Sequence, residues 1–321
     1  MKKLIYLRTH NEPNDCVIKW RLTRYCNTQC PYCLQGKKEM PSATRLMMDY
    51  TFLCGIADDI SALMERSGFK SIKLDILGGE ASIFDLVGIM KHIKAPNFNR
   101  LMLTTNFLRS ADYYIQLAEY LKSQGAGLSL TVSWHPQAIS LDDYIKKAEL
   151  VKPHCTLFSL ETVSTADNQD EVKEFVRRGE EIDSDYSVDV DRQSSYKVDE
   201  LFYTSSRKHR NTIRYTALFS DGTEKQYTSK NDLLMDLDIT DEIQRGRRIT
   251  TGGYWCTVSK DTIYIDEHGE VACYVLRNCC DRKSVKEFNF GNGVLCTPGA
   301  RCSMCGNMSL FADETVMEKY Y

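Results

Sequence analysis

The chain has 321 residues, of which 42% are apolar and 26% are charged, as in an ordinary globular protein. Its net charge of −3 gives no electrostatic reason to expect a nucleic-acid or membrane partner. The apolar run near the start is too short for a signal peptide, and no later stretch reaches membrane-spanning length. We therefore expect a cytoplasmic protein with one large α/β domain and a smaller appendage.

The chain contains thirteen cysteines, a high number for a cytoplasmic protein. Because reducing conditions disfavour disulfides, closely spaced cysteines indicate metal binding or catalysis. Most of them fall into an early and a late group, which are Cys26, Cys30 and Cys33, and then Cys256, Cys273, Cys279, Cys280, Cys296, Cys302 and Cys305. Cys16, Cys54 and Cys155 lie outside both groups, and we interpret them as small buried apolar residues.

Strand and helix patterns alternate through the first 200 residues. The predicted strands are 16–22, 72–76, 100–106, 127–136, 155–161 and 186–191. The predicted helices between them are 45–66, 82–93, 110–124, 141–150 and 169–180. This alternation predicts an α/β fold, with a parallel sheet curved into a partial (β/α)6 barrel over residues 1–200.

The alternation ends near residue 200. Residues 201–250 have a hairpin-like stretch around Asp221–Gly222 and a short helical pattern near 231–237. Acidic residues are interspersed among their basic runs, so we interpret this part as a connector with solvated charges. Residues 251–321 are cysteine-rich, with another hairpin signal at 266–270, and we predict that they form a small separate domain.

The early cysteines follow the first predicted strand directly, in the spacing Cys-x3-Cys-x2-Cys. A structural zinc site is the main alternative, but zinc usually takes four protein ligands in paired spacings, and no fourth ligand follows nearby. Three thiolates instead suit an iron–sulfur cube that leaves one iron open to another ligand.

The segment YCNTQCPYC, which ends at Cys33, resembles the CxxxCxφC signature of radical S-adenosylmethionine (SAM) enzymes, with Tyr32 as the aromatic residue. The resemblance covers the motif, the strand order and residues 15–195. It implies a [4Fe–4S] cluster on Cys26, Cys30 and Cys33 whose open iron binds SAM. It further implies that SAM is cleaved to a 5′-deoxyadenosyl radical, which abstracts a hydrogen atom from the substrate. An electron donor such as flavodoxin or ferredoxin is the implied partner.

The same resemblance includes Tyr32 among the SAM-binding residues and assigns the other SAM-binding positions to the ends of the next strands. Gly78, Gly79 and Glu80 look like the family's GGE motif, whose glycines permit close backbone approach and whose acid contacts the SAM ammonium. Asn106 and Ser133 end the third and fourth strands and become candidates for the SAM carboxylate or ribose. Active sites of barrel enzymes collect at these strand ends. A cap or turn is the alternative role for Asn106.

The late cysteine group resembles the auxiliary-cluster domains called SPASM and twitch. The shorter twitch form implies one auxiliary [4Fe–4S] cluster on four cysteines, Cys256, Cys273, Cys302 and Cys305. The longer SPASM form would hold two clusters, but its CxxCxxxxxC pattern is absent and Cys279 and Cys280 are adjacent. A structural zinc site is the third alternative, and Cys296 is the substitute ligand if one of the four is wrong.

Two substrate classes remain open. Enzymes with such auxiliary domains often modify ribosomally made peptides, which is the function we expect. Many of them carry a peptide-binding domain before the cluster motif, whereas only 25 residues precede Cys26 here. The compact length and a single auxiliary cluster also fit the oxidation or rearrangement of a small polar metabolite such as a sugar or aminocyclitol. That chemistry is the alternative.

No motif identifies further catalytic residues. Glu161 on the fifth strand, Asp189 and Asp191 on the sixth, Arg192 and His135 are candidates to face the barrel lumen. A proton acceptor and a hydrogen-atom donor are wanted there. A rim salt bridge or solvated charge is the alternative for each, and a turn before Pro136 is the alternative for the histidine.

Overall fold

The computed structural model describes residues 4–9, 15–33, 40–191, 204–206, 215–227, 249–250, 255–256, 260–271, 283–290, 294–295, 301–302 and 310–311. The helices are α1 (Ala43–Arg66), α2 (Leu86–Met90), α3 (Ala111–Ser123), α4 (Leu141–Val151) and α5 (Gln169–Glu181), with 3-10 turns at Ala81–Ile83 and Lys152–His154. Among the helices of the described segments, none has the length and apolar character needed to cross a membrane.

The strands are also numbered in chain order. They are β1 (Leu4–Thr9), β2 (Asp15–Thr23), β3 (Ser71–Gly78), β4 (Phe98–Thr105), β5 (Gly127–Trp134), β6 (Leu157–Ser164), β7 (Asp185–Val190), β8 (Thr204–Ser206), β9 (Tyr215–Phe219), β10 (Glu224–Tyr227), β11 (Ile249–Thr250), β12 (Trp255–Cys256), β13 (Thr262–Ile265), β14 (Glu270–Val271), β15 (Lys283–Ser284), β16 (Val294–Leu295), β17 (Arg301–Cys302) and β18 (Leu310–Phe311).

The central layer is a ten-stranded sheet in the order β15-β14-β13-β2-β3-β4-β5-β6-β7-β8. Strands β2 to β7 run parallel to one another, and each pairs with the next along the chain. They correspond to the six strands that the sequence predicts. The predicted α/β fold with a mostly parallel sheet, the partial barrel, is therefore confirmed.

Residue alternation decides which face of each strand meets the helices. In β3 the side chains of Ile72, Leu74 and Ile76 are fully buried in the core, while Lys73 and Asp75 point to the other face. On that face Lys73 pairs with Asp15 of β2 at 2.7 Å. The sheet therefore presents an apolar face to the helices and a polar face to the lumen of the barrel.

The predicted helix over 82–93 is two short pieces instead. The 3-10 turn at Ala81–Ile83 ends at Phe84, whose extended backbone breaks the helical path. Helix α2 then begins anew because the Asp85 side chain accepts a hydrogen bond from the Gly88 N–H at 3.0 Å. The apolar residues of 82–93 have helical spacing, but the N-cap Asp85 starts a new helix within this range.

A second sheet, in the order β10-β9-β1-β18-β12-β16, joins distant parts of the chain. Strand β1 pairs with β9 and β18, and β9 and β10 form the hairpin predicted at Asp221–Gly222. Strand β13 pairs in parallel with β2 and so extends the barrel sheet. The sheets therefore cross the predicted boundaries at 200 and 250. The helical pattern at 231–237 and the basic runs lie outside the described residues.

Arginine side chains tie the late strands to the barrel. One guanidinium nitrogen of Arg66, at the end of α1, donates to the carbonyls of Val285, Lys286 and Phe288 at 2.8, 3.0 and 3.3 Å. On the other side, Arg21 of β2 lies 2.7 Å from the Glu267 carboxylate in the β13–β14 hairpin. Residues 260–271 and 283–290 are thus attached to β2 and α1, the two elements that flank the early cysteine loop.

We expect Arg66→Ala to lower the free energy of unfolding by about 2 kcal/mol, because three carbonyls lose a charged donor. Arg45→Ala is the matched control, since Arg45 is 60% exposed and pairs only with Asp49 one helical turn away; its loss should stay below about 0.5 kcal/mol. Equilibrium urea unfolding measures both variants. Equal losses would show that the Arg66 contacts contribute no more than a surface ion pair.

Candidate active site

One cavity of about 260 Å³ lies at the C-terminal ends of β3, β4 and β5, under the loop that follows β2. It is lined by Cys26, Thr28, Cys30, Tyr32, Cys33, Leu77, Gly78, Gly79, Glu80, Thr104, Thr105, Asn106, Ser133 and His135. The structure thus brings together the three early cysteines and all six residues that the resemblance assigns to SAM binding. They come from four separate stretches of the chain.

The cysteine loop is fixed by the backbone of the glycine pair. The N–H of Gly79 donates to the Thr23 carbonyl at 2.9 Å, and the N–H of Glu80 donates to the Tyr25 carbonyl at 2.7 Å. A Cβ added to Gly79 would lie 2.2 Å from the Tyr25 carbonyl oxygen, and one added to Gly78 would lie 2.6 Å from that of Thr23. Only glycine permits this approach, which sets where the loop starts.

The three thiols share the cavity. The sulfur atoms of Cys26 and Cys30 lie 3.1 and 3.7 Å from the same Thr28 hydroxyl. Burial raises the pKa of the Cys30 thiol above its ordinary value, although the Thr28 hydroxyl opposes this. The site therefore holds its middle cysteine as a neutral thiol until a metal displaces the proton.

The spacing of the thiols bears on which metal group fits. Within the described part of the chain, no three His, Cys, Asp or Glu side chains are close enough to hold a single metal ion. A zinc ion needs its sulfur ligands about 4 Å apart, since each Zn–S bond is about 2.3 Å. A cluster of several irons spreads its thiolates more widely. Three thiols around one cavity are the donor set that an iron–sulfur cluster with one open iron requires.

Glu80 lies behind the cavity wall with only 1% of its surface exposed. Its carboxylate accepts hydrogen bonds from the Ser82 N–H at 2.9 Å, the Thr105 hydroxyl at 2.8 Å and the Asn106 N–H at 2.6 Å. Burial raises the pKa of this carboxyl, against the effect of these donors. The side chain thereby joins the ends of β3 and β4. The contact with the SAM ammonium stays a prediction.

Asn106 connects the end of β4 to the cysteine loop. Its amide nitrogen donates to the Asn27 side-chain oxygen at 2.6 Å and lies 3.9 Å from the Cys26 sulfur. Its amide oxygen accepts from the Leu108 N–H at 3.2 Å, which is a local turn contact. The residue therefore makes a turn contact and also lines the cavity, and its contact with SAM stays a prediction.

Ser133 and the candidate Glu161 are neighbours on β5 and β6. The Ser133 hydroxyl lies 3.5 Å from a Glu161 carboxylate oxygen. Two residues earlier on each strand, the hydroxyls of Thr131 and Ser159 are 3.1 Å apart. This part of the lumen is a wall of hydroxyl groups with one carboxylate, suited to hydrogen-bonding a polar ligand.

The other predicted residues are spread more widely. Asp189 lies on β7, and Asp191 directly follows that strand, its N–H donating to the Ser164 carbonyl at 2.9 Å. Neither lines the cysteine cavity. Arg192 lies outside the described residues.

His135 is closer to the cysteines than its sequence context indicates. Its Nδ1 atom is 2.8 Å from the Tyr32 hydroxyl and 3.4 Å from the Cys30 sulfur. Burial lowers the pKa of this imidazole to about 4 and raises that of the Tyr32 phenol, so both are neutral at pH 7. The available sequence signal was its position two residues after Ser133, directly beyond the end of the strand.

The late cysteine group is described only in part. Cys256 is buried in β12, and Cys302 lies on β17, opposite Ile249. Cys273, Cys279, Cys280, Cys296 and Cys305 lie outside the described residues. The auxiliary cluster and its alternatives therefore stay predictions.

No protein-family model and no curated protein sequence matches the chain. Solved structures similar to it include anSMEcpe with bound AdoMet and the Kp18Cys peptide (13% identity, TM-score 0.49, 85% of this chain and 78% of that chain). SuiB from Streptococcus suis is another (16%, 0.45, 85% and 64%). Coproporphyrinogen III oxidase (HemN) from Escherichia coli, a radical SAM enzyme, is a third (10%, 0.41, 85% and 67%).

At such low identities and TM-scores we base the proposed function on the residues of the site itself.

We expect Gly79→Ala to destabilise the protein by roughly 3 kcal/mol, because its methyl group would overlap a backbone carbonyl that cannot move away freely. Gly55→Ala is the matched control: Gly55 lies inside α1, and no atom is within 4 Å of its added Cβ. That change should be neutral or stabilise by up to about 1 kcal/mol. Urea unfolding compares the variants, and equal stability would contradict the role given to the glycine.

Proposed function

We propose that the protein is a radical SAM enzyme that holds a [4Fe–4S] cluster on Cys26, Cys30 and Cys33. The observation that supports this most is one cavity lined by the three thiols together with Gly79 and Asn106. When bound and reduced, such a cluster supplies the electron that cleaves SAM to methionine and a 5′-deoxyadenosyl radical. A flavodoxin or ferredoxin is the proposed electron donor.

The residues of the chain have three tasks in this proposal. The cysteine thiols lose their protons on metal binding, and Cys30, whose pKa is raised by burial, loses its proton only in exchange for iron. The backbone of the glycine pair holds the loop over the strand ends. The Tyr32 ring with the Asn106 amide and the Ser133 hydroxyl offers groups suited to the adenine, ribose and amino-acid parts of SAM.

We propose a peptide or protein as the substrate, in the manner of enzymes that mature ribosomally made peptides. The support is the resemblance of the late cysteines to SPASM and twitch domains. The neighbours anSMEcpe and SuiB have been solved with bound peptides, which is a property of those proteins. The high cysteine content suits a reducing compartment, and the proposed location is the cytoplasm.

A small polar metabolite is the second candidate substrate. The observation that favours it is the hydroxyl-lined lumen beside the cavity, formed by Thr131, Ser133 and Ser159 with the Glu161 carboxylate. Sugars and aminocyclitols carry hydroxyl and amino groups that match such a wall. Comparing the two classes as substrates in the same anaerobic assay distinguishes them, since only the true substrate yields a modified product.

The proposed auxiliary cluster is bound by Cys256, Cys273, Cys302 and Cys305. Cys256 is buried in the described part of this region, which suits a ligand shielded from water. About eight irons per reconstituted chain would support one auxiliary cluster, and about four would contradict it.

We expect Cys30→Ala to lose the iron and the [4Fe–4S] absorption of the SAM-binding cluster, and with them the formation of 5′-deoxyadenosine from SAM under dithionite. Cys155→Ala is the matched control, because Cys155 lies before β6, packs against the core and donates from its thiol to the Val151 carbonyl at 3.6 Å. It should keep the cluster and the activity. The readouts are iron content and 5′-deoxyadenosine by chromatography. Wild-type cleavage of SAM by Cys30→Ala would refute the proposed function.

A further inference from the structure

His135 makes the one side-chain contact in the described structure that crosses from the end of β5 to the sulfur of Cys30. Its Nδ1 atom faces two groups at once, the Tyr32 hydroxyl at 2.8 Å and the Cys30 sulfur at 3.4 Å. The imidazole and phenol rings are stacked, with their planes 22° apart and their centroids 6.0 Å apart. Neither the cysteine motif nor the SAM-binding positions account for this histidine.

A thiolate at Cys30 determines whether His135 or Tyr32 carries the hydrogen that lies between Nδ1 and the phenol oxygen. A separation of 2.8 Å between Nδ1 and the phenol oxygen requires a proton between them, which either the histidine or Tyr32 supplies. A Cys30 thiolate bound to metal only accepts hydrogen bonds. If Tyr32 supplied the proton, the bare Nδ1 lone pair would face the thiolate at 3.4 Å and be repelled. The thiolate form therefore selects the tautomer with hydrogen on Nδ1.

The backbone holds the imidazole in this position. The His135 carbonyl accepts hydrogen bonds from the N–H groups of Ala138 at 2.8 Å and Ile139 at 3.3 Å, which closes the turn after β5. The preceding Trp134 donates from its indole to the Ile139 carbonyl at 3.1 Å and stacks on Phe175 at 5.7 Å. The backbone that carries the imidazole is therefore fixed by the turn that follows β5.

We propose that His135 is a positioning residue whose Nδ1–H group donates toward Cys30 and Tyr32, thereby orienting the Tyr32 ring and raising the reduction potential of the cluster. The proposal rests on the proposed function. Its physical basis is that a hydrogen bond to a ligating sulfur stabilises the extra negative charge of the reduced cluster. The partner group is the iron-bound thiolate, and no proton is transferred.

The test compares His135→Leu, which removes the donor, with His135→Asn, whose side-chain amide nitrogen takes the place of Nδ1. Each full-length protein is reconstituted anaerobically without SAM, and the midpoint potential is measured by EPR-monitored redox titration. We expect His135→Leu to shift the midpoint to a more negative value and His135→Asn to stay near the wild type. A midpoint that is unchanged in His135→Leu overturns the proposal.

Failure of this inference and of the proposed function are distinguishable. A wild-type protein that binds no cluster contradicts the proposed function, whereas a loaded wild type with no shift in His135→Leu contradicts only the role of the histidine. If His135→Leu binds no cluster, the rate at which Cys30 is alkylated is measured against pH in the apo-proteins. The proposal requires the pH of half-maximal alkylation to be higher in His135→Leu than in the wild type, and unchanged in His135→Asn. Equal values in all three proteins overturn it.

Discussion

The site depends on one close contact between backbones. At Gly78–Gly79 the end of β3 approaches Thr23 and Tyr25 so closely that any side chain would overlap a carbonyl oxygen. Two backbone hydrogen bonds, at 2.9 and 2.7 Å, hold the two segments at this short distance. Because the cysteine loop begins at this contact, its position relative to the strand ends is determined before any metal binds. The three thiols then face a cavity rather than solvent alone.

A buried carboxylate supports this contact from behind. Burial of a charged group costs free energy unless donors replace its water, and Glu80 has three, from Ser82, Thr105 and Asn106. Asn106 also connects Glu80 to the cysteine loop, because its backbone N–H donates to the carboxylate and its side-chain amide donates to Asn27. The glycines and the acid of one motif thus serve the same purpose, which is to fix the loop from the backbone and from the side-chain network.

Local patterns predicted the barrel well, because each strand and helix carries its own periodicity and pairs with its sequence neighbour. They did not predict that β1 would pair with strands at residues 215–219 and 310–311, or that β13 would join the barrel sheet. Such pairings depend on long-range geometry that no short window contains. The same holds for the site: motifs indicated the cysteines and glycines, but the contact of His135 with Cys30 arises only when β5 is folded against the loop.

The most direct test of the account is the EPR spectrum of the anaerobically reconstituted wild-type protein after dithionite reduction, recorded with and without SAM. The account predicts the signal of a reduced [4Fe–4S] cluster whose g values change when SAM is added, because SAM binds the iron that the three cysteines leave open. A protein that binds zinc instead of iron, or a cluster signal that SAM leaves unchanged, would contradict it.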